Sequence, residues 1–148
     1  MKIAFRLNGR AVSADAAPDA LLGPWLAQTF GTAGGEIACD QGVCGACTVL
    51  VDDQPTGGCH RFAWSVEGAH VETIDGIGTP DQPHPLQQAL IAHGGLQCGT
   101  CSPGMVLAAV ALLRQSPKPT RAEVVEALAG NLCRCTGYRP IIDAVLSL

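Results

Sequence analysis

The chain has 148 residues, 47% of them hydrophobic, and carries 9 basic against 13 acidic side chains for a formal net charge of -4. That length suits one ordinary domain or two small ones, and an acidic balance with no Lys/Arg cluster excludes a nucleic-acid footprint. The longest apolar run, MVLAAVALL, falls well short of the roughly 20 residues of a membrane span, and MKIAFRLNGR lacks the apolar centre of a signal peptide, so a soluble cytoplasmic protein with no membrane partner is expected.

Residues 2–8 alternate, with Ile3, Phe5 and Leu7 on one side, and Asn8-Gly9 is a strong hairpin signal before a second strand around Ala11 to Ala14. DALLGPWLAQTF has helical apolar spacing but carries Gly23-Pro24, which predicts a helix that is short or that begins near Pro24, because proline is tolerated in a first turn. The glycine-rich GTAGGE at 31–36 follows no clear strand and lacks a phosphate-binding fingerprint, so it is assigned no nucleotide site. CTVLVDD reads as a buried strand turning at Asp52-Asp53. HVETIDGI reads as another, with Val71 and Ile74 both inward only if a bulge intervenes.

GIGTPDQPHP, at 76–85, is rich in Gly and Pro and aperiodic, which marks a connector between an α+β module, residues 1–77, and a helical one, residues 78–148. PLQQALIAHGG ends on Gly94-Gly95, and SPGMVLAAVALLRQSP opens with Ser102 as N-cap and Pro103 as first helical residue. TRAEVVEALAG opens with the capping box Thr120-x-x-Glu123, and TGYRPIIDAVLSL follows with helical apolar spacing from near Tyr138. Four helices on short loops make a small bundle.

Eight cysteines in a compartment that keeps thiols reduced point to metal rather than to disulfides. Cys39, Cys44, Cys47 and the later Cys59 follow the C-x4-C-x2-C…C spacing of a plant-type 2Fe-2S site, and Gly42 and Gly45 give the loop the freedom to wrap an anionic cluster. Zinc is the competing reading, although zinc hooks usually come as two C-x2–4-C pairs. His60 suggests a Rieske centre, but that type replaces two cysteines by histidines and all four are present, so His60 is expected to be an exposed residue without a ligand role. Cys98 and Cys101 precede one helix, and Cys133 and Cys135 another, where unpaired N–H groups and the helix dipole favour an anion. For this second set spacing alone leaves zinc, 2Fe-2S and 4Fe-4S open. His70, His84 and His93 match no ligand position and are expected at the surface or at helix ends.

CDQGVCGACTVLVD, LQCGTCSPGMVLAA and NLCRCTGYRPI together resemble the signature segments of the small iron–sulfur subunit of molybdenum hydroxylases, the xanthine dehydrogenase, aldehyde oxidoreductase and carbon monoxide dehydrogenase-like family. The resemblance implies a β-grasp ferredoxin-like domain followed by a four-helix bundle, each with one 2Fe-2S cluster: Cys39, Cys44, Cys47 and Cys59 in the first, Cys98, Cys101, Cys133 and Cys135 in the second. It implies an electron-transfer subunit without a catalytic residue of its own, relaying electrons from a molybdenum-pterin centre in a large subunit to FAD in a medium subunit or to another acceptor. It also implies pterin contacts by Gln97 and Cys135, and a hetero-oligomer, for example a dimer of heterotrimers. A stand-alone two-cluster carrier and a zinc scaffold are the alternatives. Two stretches depart from the family: Gly23-Pro24 interrupts a helix, and GGCHRFAWSV around Cys59 is aromatic and basic where small or aliphatic residues are usual.

Overall fold

The computed structural model describes residues 1–35 and 37–148. The Asn8-Gly9 turn, with φ of 49° and 81°, joins β1 (Lys2–Leu7) to β2 (Arg10–Asp15), and both residues occupy the left-handed region that a two-residue hairpin loop requires. β3 (Thr48–Val51) and β4 (Gln54–Gly57) form a second hairpin, turned by Asp52 and Asp53 at φ of 50° and 64°. β5 (His70–Glu72) lies between the hairpins, parallel to β1 and antiparallel to β3, giving a mixed five-stranded sheet of order β2-β1-β5-β3-β4. Ile3, Phe5 and Leu7 face inward as the alternation predicts, and β3 is buried along its whole length.

Helix α1 (Leu22–Phe30) covers this sheet, its Trp25 and Phe30 packing with Phe5 at ring centroids of 5.6 and 5.7 Å. It starts at Leu22 rather than at Pro24. Pro24 falls in the first turn, where the missing N–H has no helical partner to lose, and Gly23 is required for a different reason: a Cβ there would meet the Gly35 carbonyl oxygen at 2.4 Å. GTAGGE ends on Glu36, which lies outside the described residues.

HVETIDGI also departs from expectation. The strand stops at Glu72, and a 3-10 turn over Ile74–Gly76 rotates Ile74 toward the helices, so no bulge is needed. Helices α2 (Pro85–Ala92), α3 (Ser102–Gln115), α4 (Arg121–Leu128) and α5 (Arg139–Leu146) pack on one another, and α3 also lies against β3. The N-cap of α3 is Cys101, not Ser102: Ser102 already has its place inside the helix, with Pro103 beside it in the first turn. Two apolar clusters result, one between sheet and α1 and one among α2–α5 that takes in Leu50 and Ile77 from the sheet side. Among the described residues no helix is long and apolar enough to cross a membrane.

Candidate metal centres

The loop from Cys39 to Cys47 runs into β3, and Cys59 follows directly after β4, so the β3–β4 hairpin brings the fourth cysteine back to the other three. Gly42 and Gly45 take φ of 72° and 70°, as the wrapping loop requires. The loop aims amides at sulfur: Gln41 N–H donates to Cys39 Sγ at 3.4 Å and Ala46 N–H to Cys44 Sγ at 3.5 Å. N–H groups of Gln41, Val43 and Cys44, with the Cys44 thiol, lower the Cys39 pKa to about 6. Burial, the Cys47 thiol and its charge push Cys59 up to about 11. All eight cysteines are free.

The second tetrad is built from two loops. Cys98 and Cys101 lead into α3, while Cys133 and Cys135 lie on the α4–α5 connection. Cys135 and Cys98 sulfurs stand 3.6 Å apart, and the Cys101 thiol bonds to Cys133. Within each pair the proton is divided unequally. N–H and hydroxyl of Thr100 lower Cys98 while hydrogen bonding to Cys98 raises Cys135. Burial opposes ionisation of Cys133, but the hydroxyl and N–H of Thr136 outweigh it, and burial with the Cys133 thiol raises Cys101 to about 12. The amides that reach these sulfurs belong to loop residues Cys98, Thr100, Cys135 and Thr136 and to Cys101, the N-cap of α3, so the helix end named by the spacing argument supplies only part of them.

Two thiolates on one tetrahedral metal at about 2.3 Å stand about 3.8 Å apart, so the 3.6 Å separation of Cys98 and Cys135 suits two ligands of one iron. Among the described residues no three His, Cys, Asp or Glu side chains converge on a single-ion point; the sulfurs associate two by two. Four thiols in two close pairs with N–H donors at sulfur make a donor set that fits a two-iron cluster.

Sequence reasoning missed the groups that hold the loops. Tyr138, at φ of 67°, accepts Cys133 N–H at its hydroxyl (3.0 Å) and donates to Asn131 O (3.1 Å). Buried Asn131 crosses to the first loop, donating to Gly45 O at 2.9 Å and Thr48 Oγ1 at 3.3 Å. Leu132 N–H donates to Cys44 O at 2.8 Å, which links a residue beside Cys133 to a cysteine of the first set. Cys44, Cys98, Cys101, Cys133 and Cys135 line one cavity of about 150 Å³. Gln97 is exposed and its Nε2 donates to Cys135 O at 3.3 Å, so these two residues form one edge of the second loop pair. Of the other histidines, His84 caps α2 and His93 ends it, whereas His70 lies in β5 with a buried, unpartnered Nε2.

The family model of the 2Fe-2S binding domain matches residues 73–146. Aldehyde oxidase 1 from Cavia porcellus is 44% identical over 95% of this chain, and xanthine dehydrogenase from Emericella nidulans 45% identical over 98%. The chain spans only 11% of the length of each of these relatives. The crystal structure of quinoline 2-oxidoreductase from Pseudomonas putida 86 superposes with a TM-score of 0.94 at 40% identity, covering 99% of this chain and 90% of that one.

Proposed function

The chain belongs to the 2Fe-2S binding domain family, within the molybdenum hydroxylases, and from that premise we propose that it is the electron-transfer subunit of such an oxidoreductase. Cys39, Cys44, Cys47 and Cys59 hold one 2Fe-2S cluster in a β-grasp module, residues 1–77. Cys98, Cys101, Cys133 and Cys135 hold another in a four-helix module, residues 78–148. Bound there, the clusters supply one-electron redox chemistry. The chain's own contribution is to orient eight thiolates, direct amides at them and fix the spacing between the two sets. Gln97 and Cys135 present the edge that meets a molybdenum-pterin in a large subunit, and the first loop faces the FAD of a medium subunit or another acceptor, in a cytoplasmic hetero-oligomer.

The observation that carries this reading is the clasp between the two cysteine loops: the Leu132 N–H to Cys44 O bond and the cavity lined by sulfurs of both sets. The likeness to the quinoline 2-oxidoreductase chain, at 40% identity over 99% of this chain, supports the same reading. The test is anaerobic isolation from the native source. About four iron and four sulfide per chain, two distinct paramagnetic signals and co-isolated molybdenum are expected. Cys101→Ser should remove one signal and Cys47→Ser the other; loss of both from either change refutes the ligand assignment. A native mass equal to one chain would favour the stand-alone carrier, and colourless, zinc-loaded protein the scaffold.

A further inference from the structure

His60 is exposed, as its sequence suggests, and the fold also gives it a defined seat beside Cys59. Its ring lies over the first cysteine loop, and Nδ1 stands 3.6 Å from Cys59 Sγ, within reach for an acceptor as large as sulfur. Two glycines make the seat. A Cβ on Gly57 would meet His60 Cε1 at 2.2 Å and Nδ1 at 2.8 Å, and a Cβ on Gly42 would meet Nδ1 at 3.5 Å. The imidazole therefore occupies space that any larger residue at 57 would fill. It lines, with Cys47, Cys59 and Asn131, a cavity of about 290 Å³ over the first tetrad. Gly42 N–H is the other donor toward Cys59.

A metal-bound thiolate has no proton, so it can only accept; the His60 nitrogen facing it then carries the hydrogen. Hydrogen bonds to cluster sulfurs stabilise the more electron-rich, reduced state, because the acceptor's negative charge grows on reduction. We propose that His60 is a positioning residue for the first tetrad: seated on Gly57, it donates from Nδ1 to Cys59 Sγ and raises the reduction potential of the cluster held there relative to the second. The amides Gln41 and Ala46, which serve Cys39 and Cys44, are backbone groups common to any sequence that wraps this loop. His60 is a side-chain donor, and so a place where sequence sets the driving force between the two centres. The inference rests on the ligation of a 2Fe-2S cluster by Cys59.

The experiment is an equilibrium redox titration of the intact protein, or of its complex, followed by the two paramagnetic signals, with iron content and thermal unfolding measured alongside. His60→Phe keeps the ring and removes the donor; the electron-sharing constant between the centres should move about tenfold toward the second tetrad, which is 59 mV for one electron. His60→Asn places an amide nitrogen where Nδ1 stood and should retain most of the native potential. Gly57→Ala should expel the imidazole and reproduce the His60→Phe shift, with no further change when both are combined. An unchanged first potential in His60→Phe, or an equal drop in His60→Phe and His60→Asn, overturns the proposal while leaving the two-cluster reading intact. A native protein without two signals refutes that reading, and this inference falls with it.

Discussion

Gly104→Ala separates local helix propensity from the packing that joins the two cysteine loops. Gly104 lies in the first turn of α3, and alanine is favoured over glycine in a helix by about 1 kcal/mol, so propensity alone says the change stabilises. The structure says the opposite. A Cβ there would sit 2.1 Å from the Gly45 carbonyl oxygen and 2.7 Å from Asn131 Nδ2, and the first of these is backbone that no rotamer change relieves. Overpacking of this kind costs about 1–3 kcal/mol, and straining the Asn131 to Gly45 hydrogen bond adds about 1 kcal/mol. After the propensity gain is subtracted, the net destabilisation is about 1–3 kcal/mol, which for a chain of this size lowers Tm by roughly 2–12 °C. Thermal unfolding of the metal-loaded protein measures it, with visible absorbance as a second readout. Because Gly45 lies between Cys44 and Cys47, the first tetrad should also release iron to a chelator faster than in the native protein. An unchanged or raised Tm would refute the claim that α3 touches the first loop backbone to backbone.

Tyr138→Phe should leave the Cys133 N–H and Asn131 carbonyl without a partner at a cost of about 1–3 kcal/mol, and chelator challenge should strip the second tetrad faster while the first holds. His84 gives a pH dependence of stability. Burial, with the Arg114 charge, lowers its pKa from 6.5, and its Nδ1 must stay unprotonated to accept Leu86 N–H at 3.1 Å. A depressed folded pKa means the contribution is complete above pH 6.5 and is lost as pH falls through the lower folded value. The cap is worth about 0.5–2 kcal/mol, and His84→Asn, a good cap that does not titrate, should lose less Tm than the native protein as pH falls below 6.5; equal slopes in both proteins would contradict it.

What was legible in the sequence was whatever depends on neighbours along the chain. Asn8-Gly9, the Thr120/Glu123 box and the cysteine spacing each state their geometry within a few residues, and the structure shows the hairpin and the box as read. Most of the missed features are set by contacts between distant segments. Asn131 reads as one more polar residue after a helix stop, but its partners Gly45 and Thr48 are more than 80 residues away. Gly23 reads as a helix breaker, whereas the fold needs it to let α1 approach Gly35 and Gly58. Ser102 looks like a better cap than Cys101 by residue type; the helix begins one residue earlier, and Cys101 takes the cap position without any side-chain cap bond. Tyr138 marks the start of the last helix as read, but its hydroxyl is silent in the sequence because its bonds with Cys133 N–H and Asn131 O form only in the folded loop.

The join between the cysteine loops explains why so many glycines flank them. Gly45 meets two separate demands: φ of 70°, and a surface so close to Gly130 that a Cβ would lie 2.3 Å from its carbonyl oxygen. Gly104 reaches the other side of Gly45, and Leu132 N–H and Asn131 Nδ2 then bond to the carbonyls of Cys44 and Gly45. Each of these contacts involves a residue in or next to a cysteine loop, so the distance between the tetrads is set by backbone rather than by flexible side chains. On the far side, Arg114 of α3 pairs with Glu72 of β5 and Asp53 of the β3–β4 turn, which pins the helices to the sheet at a second point. The Asp53 pair is exposed and worth little, whereas Glu72 is 14% exposed and held by both guanidinium nitrogens. Removal of the Asp53 carboxylate should therefore cost little stability. A methyl group placed between Gly45 and Gly104 should cost more, because it intrudes on a backbone contact at the join of the two cysteine loops and on the Asn131 amide bonded there.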